Sequence, residues 1–216
     1  MNDQMRTHLE MEARQLIDGH DAAHDFEHAR RVMANALSIG SIEGGDPDVL
    51  IPAGLFHDVV MYPKNDPRSE SAARQSAKVA VTVLQATPDY PSEKIVLVVE
   101  AISNCSFHRE STHLHLDSLI LQDADRLEAT GAIAIMRTFW SAGQMGQPLY
   151  NPADPFAMST QPDGLKYALD LFETRLFRVE DRLHTKTARQ LAAKRSEFLH
   201  TFIEQLRNEL RVVPRD

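Results

Sequence analysis

The sequence predicts an all-α protein, and three observations lead there. Period-two alternation, the mark of a half-buried strand, is rare, whereas apolar residues recur at i, i+3 and i+4 in most segments. Helix-start signals stand where that spacing begins, as in Asp46-Pro47 after Gly44-Gly45. The intervals between periodic segments are mostly short, as between helices packed side by side. A chain of 216 residues that is 43% hydrophobic and 25% charged has material for one sizeable core. The reading is therefore one domain over 1–216, with a core at about 20–140 and a helical C-terminal extension at about 165–211.

The elements follow in order. Residues 3–18 form a first helix. Residues 24–40, "HDFEHARRVMANALSIG", form a second, with Phe26, Ala29, Val32, Met33, Ala36 and Leu37 on one broad face. A third starts at the Asp46 cap and runs to about Val60, with Pro52 kinking it or marking its true start. "MYPKNDPRSES" is a turn-rich loop. Helices follow at 69–86 and 92–104, then a long one at 116–140. The segment 143–164 is rich in Gly and Pro and longer than usual connections, so it is expected to be functional or packed on the surface as a flap. A last helix at about 186–211 carries Phe198, Phe202, Leu206 and Leu210 on one stripe, with Leu199 and Ile203 beside it.

Composition excludes several classes. The net charge of −8 disfavours nonspecific binding to a nucleic-acid backbone, so no stable nucleic-acid complex is expected. It leaves room for a small anionic substrate held by local cations. The one cysteine, Cys105, allows no internal disulfide. The charged, amphipathic start "MNDQMRTHLEMEARQLI" lacks the apolar core of a signal peptide, and no run approaches membrane-spanning length. A cytoplasmic location with no membrane partner is the expectation.

The ten histidines are the unusual feature of the composition. In "AGLFHDVVMYPK", His57-Asp58 interrupts an apolar run. His28 shares a face with Val32 and Ile39. In "LILQDADRL", Asp123 and Asp125 both interrupt an apolar helix, and periodicity does not decide which of them points at a site. Buried ionisable groups are costly unless paired or bound to a metal. Two imidazoles and two carboxylates suit one divalent ion: Mn, Fe, Co, Ni or Zn, with Mg tolerated by the carboxylates. An ion with open positions activates water and polarises a phosphoryl oxygen. His20-Asp21 and His24-Asp25 repeat the dipeptide without the apolar setting, and Asp25 suits a helix cap.

A helical His, then His-Asp, then a distant Asp resembles the HD-domain superfamily of metal-dependent phosphohydrolases. More narrowly, the chain is similar to stand-alone bacterial HD hydrolases of about this length. The stretches "AAHDFEHARRV", "FHDVVMYPKNDPRSESAA", "ILQDADRLEATGAIAI", "DPFAMSTQPDGLKYALDLFETRL" and "TKTARQLAAKRSEFL" carry that likeness. It implies a compact helical HD fold of about seven or more helices around a metal site, with His28, His57, Asp58 and Asp125 as ligands. Asp125 is favoured over Asp123 because the family's ligand directly precedes a basic residue, here Arg126. His24 belongs to the subgroup's pattern and is expected to face the same cavity.

Asp58, His24 and Lys64 are the expected catalytic groups; His24, Lys64, Arg68, His108 and Arg126 are the expected substrate contacts. Cys105 stands where the subgroup has a histidine, and His108 is the candidate replacement. The implied activity is hydrolysis of a phosphate ester or anhydride, in a small phosphorylated substrate such as a nucleotide. Two rivals are a di-iron oxygenase, which needs further histidine ligands, and a nucleotide-binding regulator without turnover.

Overall fold

The computed structural model describes residues 1–19, 23–62, 66–105 and 114–211. Among the described residues there are nine α-helices and no strand, so the all-α expectation holds. The chain divides into two compact units. One comprises Met1–Arg126 with His184–Ala188; the other comprises Leu127–Leu183 and the chain from Arg189.

The first unit holds α1 (Asp3–Ile17), α2 (Phe26–Glu43), α3 (Pro47–Phe56), α4 (Ala72–Ala86), α5 (Ile95–Asn104) and α6 (Leu116–Arg126). Their starts are set by side-chain caps: Asn2 accepts from the Met5 amide, Asp25 from His28 and Asp46 from Asp48. α2 packs on α3 and α6, and α5 packs on α3, α4 and α6. The core between them includes Leu9, Val32, Met33, Ile39, Leu55, Phe56, Leu84, Ile102 and Leu121.

α3 is buried along its whole length from Val49 to Phe56. Pro52 sits inside it and has no N–H to give the Asp48 carbonyl one turn back. The Tyr90 hydroxyl donates to that carbonyl instead, at 2.8 Å, so the helix continues through the proline. Gly54 marks a close crossing with α2: a Cβ there would lie 2.7 Å from the Met33 Cα and 2.9 Å from its nitrogen. Gly54→Ala is therefore expected to push two backbones apart and to lower the unfolding free energy by about 1–3 kcal/mol. Thermal or urea unfolding of the variant checks this.

Two sequence expectations are corrected. α3 ends at Phe56 rather than near Val60. The buried Ser76 hydroxyl of α4 accepts from the Val60 amide at 3.1 Å, and this bond replaces the helical one to Phe56. The long helix expected at 116–140 is interrupted. α6 stops at Arg126, a short 3-10 turn covers Leu127–Ala129, and α7 spans Gly131–Gln144. Thr130 is extended and Gly131 adopts φ +66°, a left-handed conformation that no continuous helix contains.

The second unit contains α7, the short α8 (Asp170–Thr174) and most of α9 (Lys186–Arg211). Its core is Ala134, Leu169, Phe172, Leu176 and Leu199, with Phe139, Phe177, Phe202 and Ile203 packed against it. Phe172 and Phe202 stack at 5.7 Å. The buried stripe of α9 runs through Leu199, Phe202, Ile203 and Leu206; Phe198, placed on it by the sequence reading, is half exposed. Positions i, i+3, i+4 and i+7 from Leu199 define the face, and Phe198 lies about 100° away from its centre. The long connection before α8 is held by its own bonds. The Asp154 carboxylate accepts from the Met158, Ser159 and Thr160 amides and from the Ser159 and Thr160 hydroxyls.

Candidate metal centre

Three parts of the first unit bring His28, His57 and Asp125 together, with Asp58 beside the two imidazoles. His28 enters from the first turn of α2, where Asp25 caps the helix through the His28 amide at 2.8 Å. The Asp of the second His-Asp pair is thus a cap, as its position suggested. His57 and Asp58 stand in the turn just past α3, and Asp125 lies near the end of α6. His28 and His57 are buried at 1% and 2% exposure. The Asp58 and Asp125 side chains keep 33% and 28% of their surface accessible, so the cluster opens on one side.

The distances favour a shared cation. His57 Nε2 lies 3.3 Å from His28 Nε2 and 3.5 Å from Asp58 Oδ2. Asp125 Oδ1 lies 3.6 Å from His28 Nε2 and 3.9 Å from His57 Nε2, and Asp58 Oδ2 is 3.8 Å from His28 Nε2. Ligands about 2.1 Å from one ion stand about 3 Å apart when cis and about 4 Å apart when trans. These spacings fall in that window; His28, His57 and Asp125 group as possible metal ligands, and Asp58 flanks them beside the two imidazoles.

The tautomer agrees. His57 Nδ1 lies 2.9 Å from the Gly54 carbonyl, which can only accept, so Nδ1 carries the proton and Nε2 presents its lone pair to the cluster. When both Nε2 atoms are unprotonated, as in ligating imidazoles, they and the carboxylate oxygens repel unless a cation lies among them, and protonated rings otherwise supply that positive charge. The donor set fits a divalent ion that takes mixed nitrogen and oxygen ligands.

Positive charge beside Asp58 favours its carboxylate form. Burial raises the Asp58 carboxyl, but the charge of His57, a hydrogen bond and charge from His28, and the charge of His24 outweigh it. The net result holds Asp58 below the usual carboxylate range. Burial pushes the Cys105 thiol up, reinforced by Asp125 and Asp58, so it stays a neutral thiol rather than a nucleophile.

The remaining sequence candidates are distributed as follows. The His24 ring meets the His28 ring edge-on at 5.8 Å, which places it beside the cluster. The Arg126 guanidinium is buried, 2.7 Å from His184 Nε2 and 4.0 Å from Asp123 Oδ1. Arg68 forms a fork with Asp66, at 3.0 and 2.7 Å, and lies over the Tyr62 ring. Lys64 and His108 lie outside the described residues.

Asp123, equivalent to Asp125 by spacing, has a different task. It is fully buried and accepts from the His184 amide, the Thr185 amide and the Thr185 hydroxyl at 2.7–2.8 Å, anchoring the entry to α9. Sequence reasoning missed that role, and it missed the Gly54 carbonyl and Ser76. Thr185 as a helix-start residue was the one available signal.

Residues 25–130 match the model of the HD domain family, and all four donors fall within that span. Over 199 residues the chain is 29% identical to YpgQ of Bacillus subtilis, covering 90% of this chain and 88% of YpgQ. The fold resembles the crystal structure of B. subtilis YpgQ in complex with ADP, with a TM-score of 0.71, 28% identity and 95% of each chain covered. It also resembles an HD-superfamily hydrolase from Bacillus thuringiensis, with a TM-score of 0.73, 27% identity, and 97% and 98% of the two chains covered. The chain thus carries an HD domain at residues 25–130, and over nearly its whole length it is similar to a protein described as an HD-superfamily hydrolase. Among the described residues, no helix is long and apolar enough to cross a membrane.

Proposed function

We propose that the protein is a metal-dependent phosphohydrolase that cleaves a phosphate ester or anhydride, with a nucleotide as substrate. The observation that carries this reading is the grouping of His28, His57 and Asp125 within ligand spacing, with Asp58 beside both imidazoles. The ADP complex of its relative YpgQ supports a nucleotide over other phosphate compounds. His28, His57, Asp58 and Asp125 would hold a divalent ion, which when bound would supply an activated water and a Lewis acid toward a phosphoryl oxygen.

The chain's own residues complete the chemistry in this reading. Asp58 stays ionised and partly accessible, so it is suited to hold the ion and to orient the attacking water by accepting a hydrogen bond from it. His24, edge-on to His28 and outside the four donors, is assigned protonation of the leaving oxygen. Lys64, Arg68, Arg126 and His108 are assigned to hold the phosphates and offset the developing charge. Arg68 would have to exchange its fork with Asp66 for the substrate, and its exposed position permits that.

The test is a product-resolved screen of nucleoside mono-, di- and triphosphates with Mn, Mg, Co or Ni added. Hydrolysis that stops on chelation and returns with one of these ions is the expected result. No turnover of any phosphorylated nucleotide with any of the ions would overturn the reading.

A further inference from the structure

The turn that carries the His-Asp pair is also one wall of a groove on α4. A cavity of about 490 Å³ is lined by Val60, Ser71, Arg74, Gln75, Lys78 and Val79. Arg74 and Lys78 are exposed and one helical turn apart, so their side chains share a face. The chain's net charge is −8, and Arg6, Arg14, Arg30, Arg68 and Lys94 each lie within ion-pair distance of a carboxylate. Arg74 and Lys78 have no carboxylate partner among the described residues.

The groove adjoins the turn that follows the His-Asp pair. Val60 lies two residues beyond Asp58, which limits their Cα separation to about 7 Å. The Val60 amide donates to Ser76 at 3.1 Å, and the Tyr62 hydroxyl donates to Gln75 Oε1 at 2.8 Å. Two hydrogen bonds from two helical neighbours thus fix α4 against the ligand-bearing turn. Gln75 Nε2 is engaged by Ser71, at 2.8 Å, which leaves the two cations as the groove's charged lining.

We propose that Arg74 and Lys78 form a second anion subsite. It holds an anionic group of the substrate that lies beyond the phosphoryl group at the metal centre, as in a linked diphosphate. The proposal rests on the phosphohydrolase reading and adds to it where the rest of the substrate lies. Arginine supplies a planar fork and lysine a point charge, a pair suited to successive phosphoryl oxygens.

The test is calorimetric titration of the full-length, manganese-loaded protein with ADP and, separately, with orthophosphate. The wild type is compared with the Arg74→Ala/Lys78→Ala double variant and with Arg74→Lys. Both positions are exposed, so the substitutions leave the core untouched. In the double variant, ADP affinity is expected to fall roughly tenfold or more, with a much smaller loss for orthophosphate. The salt dependence of ADP binding should also flatten, and Arg74→Lys should retain part of the affinity. Unchanged ADP affinity in the double variant, equal losses for both anions, or no ADP binding by the wild type would each overturn the subsite. Hydrolysis is judged separately: a wild type that shows the subsite signature but turns over no nucleotide contradicts the phosphohydrolase reading and leaves the subsite standing.

Discussion

Replacing His57 with alanine is expected to strip the protein of its divalent ion and to reduce phosphate release by about a thousandfold or more. The expectation follows from geometry. His57 Nε2 is within 4 Å of donor atoms on His28, Asp58 and Asp125, so it sits at the middle of the set. Its other nitrogen is fixed by the Gly54 carbonyl, which holds the ring with Nε2 toward the other donors. His57→Gln serves as the companion variant, because its amide keeps a polar group near Gly54 while failing as an imidazole ligand. Metal content after dialysis and turnover rate are the readouts, with circular dichroism to establish folding. Wild-type turnover in either folded variant would remove His57 from the site.

Asp123→Ala should do the opposite: keep the ligands and weaken the fold. Three donors, two of them backbone amides, converge on a fully buried carboxylate. Hydrogen bonds to a charged acceptor are worth about 1.5–3 kcal/mol each, and orphaned buried donors add a desolvation penalty. A loss of about 3 kcal/mol or more in unfolding free energy is expected. Asp125→Ala, two residues away and partly accessible, should change the stability of the metal-free protein by about 1 kcal/mol or less while abolishing ion binding. Chemical unfolding of the two variants in chelator, beside metal analysis, separates the roles. Equal stability losses would show that the two carboxylates have been assigned wrongly.

Much of the fold was legible because it is built from caps and periodicity. Asp25 and Asp46-Pro47 announced where α2 and α3 start, and the stripe of α9 announced a helix close to its observed range. What failed depended on partners distant in sequence. Nothing near Val60 says that Ser76 will take its amide and end α3 early. Nothing near Gly131 distinguishes a tolerated helical glycine from one at positive φ. The candidate site was legible as a set of polar residues in apolar surroundings, since burying such groups together demands a compensating partner. Choosing between Asp123 and Asp125 was beyond spacing alone, because the two face different neighbours that only the packing of α6 reveals. The groove on α4 was equally hidden: Arg74 and Lys78 read as ordinary surface charge until the turn after Asp58 is seen beside them.

The most direct measurement is anomalous diffraction at the manganese edge from a crystal of the manganese-loaded protein, with metal stoichiometry measured on the same preparation. The account predicts one ion per chain, bound by His28, His57, Asp58 and Asp125. An ion lodged elsewhere, or two irons per chain in the protein as purified, would contradict it.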